Sequence, residues 1–128
     1  MVWDIGANDG TYSRLISKYV DQVVSMDADH VAIGLNDKRN TENNIKNVIP
    51  LVIDITNPSP MGGFALQERK SLRQRSQTDV LVVLTLVHHL CDTSNILLWR
   101  LVDYFAEYAC DVLIEFVDRG DSQVTKLL

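Results

Sequence analysis

Absences narrow this sequence before any motif does. It has no apolar run of the roughly 18 residues that a membrane-crossing helix needs. Its N-terminus, Met-Val-Trp-Asp, has neither the basic start nor the apolar stretch of a secretory leader. Cysteine is scarce: Cys91 and Cys110 stand well apart, with no Cys-x-x-Cys pair and no histidine at zinc-ligand spacing. That excludes a disulfide framework and a structural zinc, and points to two buried thiols in a reducing cytoplasm. Basic charge is short as well. Twelve Lys and Arg against seventeen Asp and Glu leave a net charge of −5, which excludes a global field for gripping nucleic acid or anionic lipid. What is present is apolar content, 46% over 128 residues, too much for a disordered chain and enough for one domain with a core.

Five β-branched, apolar runs read as strands: Val2–Ile5, Gln22–Met26, Asn47–Ile53, Val80–Thr85 and Asp111–Val117. The last three are apolar almost throughout, the pattern of strands covered on both faces. Helical spacing lies between them. Leu15, Ile16, Tyr19 and Val20 mark a helix over Thr11–Val20. Val31, Ile33 and Leu35 start a second, which fades into the polar stretch Asn36–Asn44. Leu97, Leu98, Leu101, Val102, Phe105 and Ala109 give a third over Ser94–Tyr108, behind the candidate N-caps Thr93 and Ser94. Trp3 and Trp99 read as core or edge packing and His30 as a surface residue.

Strand alternating with helix predicts an α/β domain with a doubly wound, mainly parallel sheet. Its ligand crevice lies at the carboxyl ends of the strands, near the first one. One interval breaks the rhythm. Asn57–Gly63 is a turn-rich loop, followed by Phe64–Gln77, where Arg69, Lys70, Arg73 and Arg75 face a single acid, Glu68. This segment reads as a solvated surface helix or loop, with a patch for an anionic substrate as the sharper alternative. The first strand starts at residue 2, and Ser122–Leu128 reads as the start of another helix, so the expectation is a single domain over 1–128 that is a fragment of a longer chain.

The chemistry is carried by Asp4-Ile5-Gly6-Ala7-Asn8-Asp9-Gly10, which runs from strand into helix through two glycines four apart. Gly6 suits the tight turn, and Gly10 suits close approach of the backbone to a ligand at the helix start. Asp4, near the end of the first strand, can face the crevice. The second strand ends in Asp27, seventeen residues beyond Gly10, where an acid accepts hydrogen bonds from ribose hydroxyls. Asp54 ends the third strand at the same rim, whereas Asp29 reads as a helix cap. A dinucleotide site wants Gly-x-Gly-x-x-Gly so that a helix N-terminus can receive a pyrophosphate. Here Asn8 takes the middle position, with Asp9 beside it. Those acids would repel a pyrophosphate and suit a ligand carrying an ammonium and a sulfonium, which favours S-adenosylmethionine over NAD or ATP.

The glycine loop resembles the Asp-x-Gly-x-x-x-Gly signature of class I S-adenosylmethionine-dependent methyltransferases, with Asp27 and Asp54 in register with that family's ribose- and adenine-binding acids. Asn57-Pro58-Ser59-Pro60, Glu68-Arg69-Lys70-Ser71-Leu72, Leu86-Val87-His88-His89-Leu90 and Glu115-Phe116-Val117 are similar to the nodulation protein NoeA-like subgroup. The resemblance implies a Rossmann-like sheet of order 3-2-1-4-5, a core without the family's sixth and seventh strands. It implies that Gly6, Ala7, Asn8 and Gly10 lie against the methionine part of the cofactor. Asp4 would hold its ammonium through water and Asp27, with Ala28 beside it, the ribose. Asp54 and Ile55 would read the adenine, while Leu84, Thr85 and Leu86 lie near the sulfonium methyl.

Methyl transfer from a sulfonium needs chiefly a positioned nucleophile. For a hydroxyl or amine acceptor a general base helps, and His88 or His89, after the fourth strand, suits that role. The expected acceptor is a small or sugar-derived molecule, with no metal. Three alternatives remain at this point. One is a non-catalytic cofactor-binding module or partner subunit. Another is an NAD-dependent oxidoreductase, although the third glycine and a Tyr-x-x-x-Lys pair are missing. The last is a nucleic-acid methyltransferase, motivated only by the basic segment and disfavoured by the lack of Asn/Asp-Pro-Pro-Tyr.

Overall fold

The computed structural model describes residues 1–75, 77–92 and 94–115. Five parallel strands, β1 (Val2–Ile5), β2 (Val23–Asp27), β3 (Val48–Val52), β4 (Thr78–Val83) and β5 (Ala109–Ile114), form one sheet in the order β3-β2-β1-β4-β5. This is the expected order. β1 lies at the centre, with Asp4 opposite Ser25 of β2 and Val82 of β4. The crossovers carry α1 (Thr11–Ile16), α2 (His30–Glu42), α3 (Leu72–Arg75), α4 (Val87–Asp92) and α5 (Leu98–Ala106).

Alternation along the central strands sorts side chains to two faces. Trp3 and Ile5 of β1, Val24 and Met26 of β2, and Leu81 and Val83 of β4 share one apolar cluster with Leu90, Leu101, Phe105 and Tyr108. Trp3 packs against Tyr108 at 5.5 Å between ring centroids. On the other face Asp4, Ser25 and Ser13 of α1 form a buried hydrogen-bonded chain. Ser25 Oγ donates to Ser13 Oγ at 2.7 Å, and Ser13 Oγ donates to Asp4 at 2.5 Å.

Several expectations change. α2 runs on through the polar stretch because its inward face is made of asparagine: Asn36 and Asn40 are buried, and Asn40 Nδ2 donates to Asn36 Oδ1 at 2.9 Å. α1 is shorter than expected, ending in turns after Ile16. The expected helix over Ser94–Tyr108 shortens to α5, preceded by Leu97 rather than Ser94 and without a side-chain cap, while α4 is a further helix not expected from the sequence. β4 and β5 begin two residues earlier than expected. β3 and β5 are edge strands, so Leu51, Val52, Val112 and Leu113 stay exposed rather than covered on both faces. Trp99 is 59% exposed with the Arg100 guanidinium over its ring, so it is not core. Thr93, Phe116, Val117 and the expected helix over Ser122–Leu128 lie outside the described residues. No helix among the described residues is long and apolar enough to cross a membrane.

Candidate functional site

The turn after β1 is tightly closed. Gly6, at φ 74, turns the chain back so that its amide and that of Ala7 both donate to the Met26 carbonyl, at 2.8 and 3.0 Å. A side chain on Gly6 would meet Leu86 at 3.2 Å. Asn8 is left-handed at φ 49 and its amide donates to Asp27 Oδ2 at 2.8 Å. The amides of Gly10 and Thr11 go to the Ala7 carbonyl and to Asp9 Oδ1. Five of the six amides from Gly6 to Thr11 therefore already have partners within the protein. A phosphate nest needs such amides free.

Asp27 is held from both sides. Its Oδ1 accepts the Asp29 amide at 2.9 Å while Oδ2 accepts that of Asn8, which fixes the carboxylate plane at the end of β2. Asp29 caps α2 by accepting the Val31 amide at 2.8 Å, as expected. Asp54 closes a local turn after β3, accepting from the Thr56 amide and hydroxyl at 2.8 and 2.7 Å. Those bonds, the hydroxyl's foremost, hold its carboxyl below the usual range.

A small cleft opens between these strand ends, lined by Gly6, Asp27, Ala28, Asp54 and Ile55 together with Ile5, Met26, Ile53, Leu86 and Leu90. Six of the expected residues, Leu86 among them, thus meet in one hollow, with acids along one lip and an apolar floor. Of the other apolar members, Met26 and Ile53 belong to no motif and are visible in the sequence only as ordinary strand positions.

Other expectations do not hold geometrically. Asp4 does not face the crevice: it is 2% exposed and turned toward α1, because alternation along β1 sends it to the face opposite Trp3 and Ile5. Gly10 offers no space to a ligand. It is buried, and a side chain there would lie 2.1 Å from Asn36 Oδ1. Asp9 is not a bare acid either. It is bonded by Thr11 and ion-paired with Arg39, and the Thr11 hydroxyl foremost holds its carboxyl low. The case against a pyrophosphate therefore rests on the occupied amides rather than on that charge.

Burial, above all, lifts the Asp4 carboxyl above its ordinary range, opposed by the Ser13 bond and reinforced by the charge of Asp27. The folded state then binds a proton more tightly than the unfolded one, so the contribution of Asp4 to stability is fully present below the ordinary carboxylate value. That contribution falls as pH rises through the raised folded value. Asp4→Asn, whose amide oxygen still accepts from Ser13, should unfold no earlier than the parent near pH 7. Its relative advantage should shrink toward about pH 4. Thermal melts across that range check this; a variant less stable at pH 7 and matched at pH 4 contradicts it.

The rim after β4 is strained. Thr85 is β-branched yet left-handed at φ 58, a conformation costing of order 1–3 kcal/mol. Its amide donates to Glu115 Oε2 at 2.8 Å, a bond to a charged group worth about 1.5–3 kcal/mol. Thr85 does not line the cleft itself; its successor Leu86 does. His88 and His89 sit in α4 with ring centroids 4.2 Å apart, and neither lines the cleft.

No family model matches the chain. It is 30% identical over 126 residues to the nodulation protein NoeA of Rhizobium meliloti (strain 1021), an alignment covering 98% of the chain and 26% of NoeA. Among solved structures it superposes on the bifunctional kinase-methyltransferase WbdD with a TM-score of 0.68 at 16% identity, over 94% of this chain and 25% of that one. On a SAM dependent methyltransferase from Aquifex aeolicus the TM-score is 0.62 at 17% identity, over 94% of this chain and 60% of that one. The chain thus spans about a quarter of the length of NoeA and of WbdD. The chain shares its fold with these solved structures, and in sequence it is similar to the nodulation protein NoeA.

Proposed function

We propose that this chain is the cofactor-binding core of an S-adenosylmethionine-dependent methyltransferase acting on a small-molecule acceptor. The observation that carries the reading is the single cleft shared by Gly6, Asp27 and Asp54 over an apolar floor. Its donor set fits an adenosine. Carboxylates at strand ends accept from ribose hydroxyls and from an exocyclic amine, while Ile5, Met26, Ile53, Ile55 and Leu86 suit the faces of a purine. The loop amides, being occupied, leave little to hold a pyrophosphate, which sets NAD aside.

When bound, the cofactor supplies an electrophilic methyl group on a sulfonium leaving group. The chain's own residues bind and orient. Asp27, fixed by two amides, presents its carboxylate in one plane, and Leu86 and Leu90 give the cleft an apolar wall. His88 and His89, on the same rim, are the groups we assign to proton removal from a hydroxyl or amine acceptor. The free thiol of Cys91 fits a reducing cytoplasm.

Calorimetric titration with S-adenosylhomocysteine tests the cleft. Saturable binding, with a thermal midpoint that rises with ligand concentration, is expected. No heat and no thermal shift at millimolar ligand would remove the reading. Binding without methyl turnover, even with the flanking sequence restored, would make the chain a cofactor-binding module only.

A further inference from the structure

The turn that follows β4 forms part of the cleft wall in a conformation its own sequence disfavours. Thr85, Leu86 and Val87 include no glycine, yet Thr85 takes φ 58. That torsion turns the chain so that Leu86 lies over Gly6, leaving only 3.2 Å for a side chain there. Leu86 also opens α4, its carbonyl accepting the Leu90 amide at 3.0 Å, and both leucines wall the cleft. The group that holds the Thr85 amide comes from thirty residues away. Glu115 directly follows β5, where its own amide donates to the Val83 carbonyl at 3.1 Å, so its backbone is anchored to the sheet while its carboxylate reaches across to the turn.

We propose that Glu115 is a positioning residue for the cofactor cleft. Acting through the Thr85 amide, it keeps the turn left-handed and so holds Leu86 against Gly6. The inference deepens the methyltransferase reading and rests on it for its ligand. Its physical basis is a balance between two terms of similar size, a backbone penalty and a charge-assisted bond. Water could satisfy the amide if the carboxylate were lost, but water bound to one amide does not select a torsion. The turn would then relax toward ordinary φ and carry Leu86 off Gly6. Glu115 is exposed, so its loss opens no hole in the core.

The test compares the parent with Glu115→Gln, Glu115→Ala and the double variant Glu115→Ala/Thr85→Gly. Glutamine keeps an acceptor at the same reach, and glycine removes the penalty for a positive φ. S-adenosylhomocysteine should bind about tenfold more weakly to Glu115→Ala, the size of one such bond. Glu115→Gln should stay within about twofold of the parent, and the double variant should regain most of the loss. In ligand-free protein, exchange of the Thr85 amide should speed up and the Leu86 methyl resonances should move in Glu115→Ala alone. Unchanged affinity in Glu115→Ala, or no rescue by either glutamine or glycine, would overturn the proposal. If the parent binds no nucleoside, the cofactor reading fails by itself. The exchange and methyl measurements then still decide whether Glu115 sets the turn.

Discussion

Replacing Asp27 with alanine should weaken S-adenosylhomocysteine binding by about 1.5–3 kcal/mol, roughly ten- to 150-fold, the range for hydrogen bonds to a charged group. The carboxylate lines the cleft and is aimed by two backbone amides, from Asn8 and Asp29. Because of those amides, asparagine is no conservative replacement. Its single carbonyl oxygen can accept from one amide, and its NH₂ would face the other donor to donor. Asp27→Asn should therefore lose nearly as much affinity as Asp27→Ala. The loss could in principle come from a loosened glycine loop rather than from a lost ribose contact. Titration with the 2′-deoxy analogue separates the two. The parent should discriminate against the analogue, while both variants should bind analogue and S-adenosylhomocysteine about equally. Full discrimination surviving in Asp27→Ala would show that another group reads the ribose.

What the sequence disclosed and what it concealed follow one physical division. Strands β1 to β5 were legible because a parallel sheet buries its central strands, leaving continuous β-branched runs with turn residues between them, whereas their order came from the family resemblance. Gly6, Asp27 and Asp54 were legible as a group because each ends a strand on one rim, and rim position follows directly from element order. The inner face of α2 was hidden. Periodicity looks for apolar residues, and this helix turns Asn36 and Asn40 inward. The direction of Asp4 was hidden because a one-residue step along a strand exchanges faces, and the rim argument does not count that step. The Thr85 turn had no signal either. A left-handed threonine is stabilised by a partner thirty positions away, and local sequence carries no trace of Glu115.

Those hidden features also change what the glycine loop is for. In the sequence, its acids and glycines look like a surface offered to a ligand. In the fold, Asp9 is tied to Arg39 of α2, and Gly10 lies under Asn36 of the same helix. The amino end of the loop reaches Asp27 through the Asn8 amide. The loop is a strap between β1, β2 and α2, and its contribution to the cleft is to hold Asp27 and Gly6 at a fixed separation.

Gly10→Ala is the direct assay of that strap, and it should destabilise the protein by about 2–5 kcal/mol. Two terms contribute. The backbone at Gly10 has φ 76, which costs an alanine roughly 1–2 kcal/mol. The added methyl would lie 2.1 Å from Asn36 Oδ1 and 2.2 Å from its Cγ, an overlap in a packed interior that costs about 1–3 kcal/mol. Asn36 has little room to retreat. It is buried, its Oδ1 accepts from Asn40, and its Nδ2 has no hydrogen-bond partner among the described residues. The two terms can be separated by truncating the neighbour. Asn36→Ala alone gives up one neutral hydrogen bond and should cost about 1 kcal/mol. In Gly10→Ala/Asn36→Ala the overlap is gone and only the backbone term should remain beside that loss, giving a favourable coupling of about 1–3 kcal/mol in urea unfolding. Purely additive losses would show that α2 shifts freely away from the loop. In that case the strap does not fix the distance between Gly6 and Asp27, and nucleoside affinity should survive Gly10→Ala. A large coupling accompanied by weakened S-adenosylhomocysteine binding would instead tie the geometry of the cleft to a glycine that does not line it.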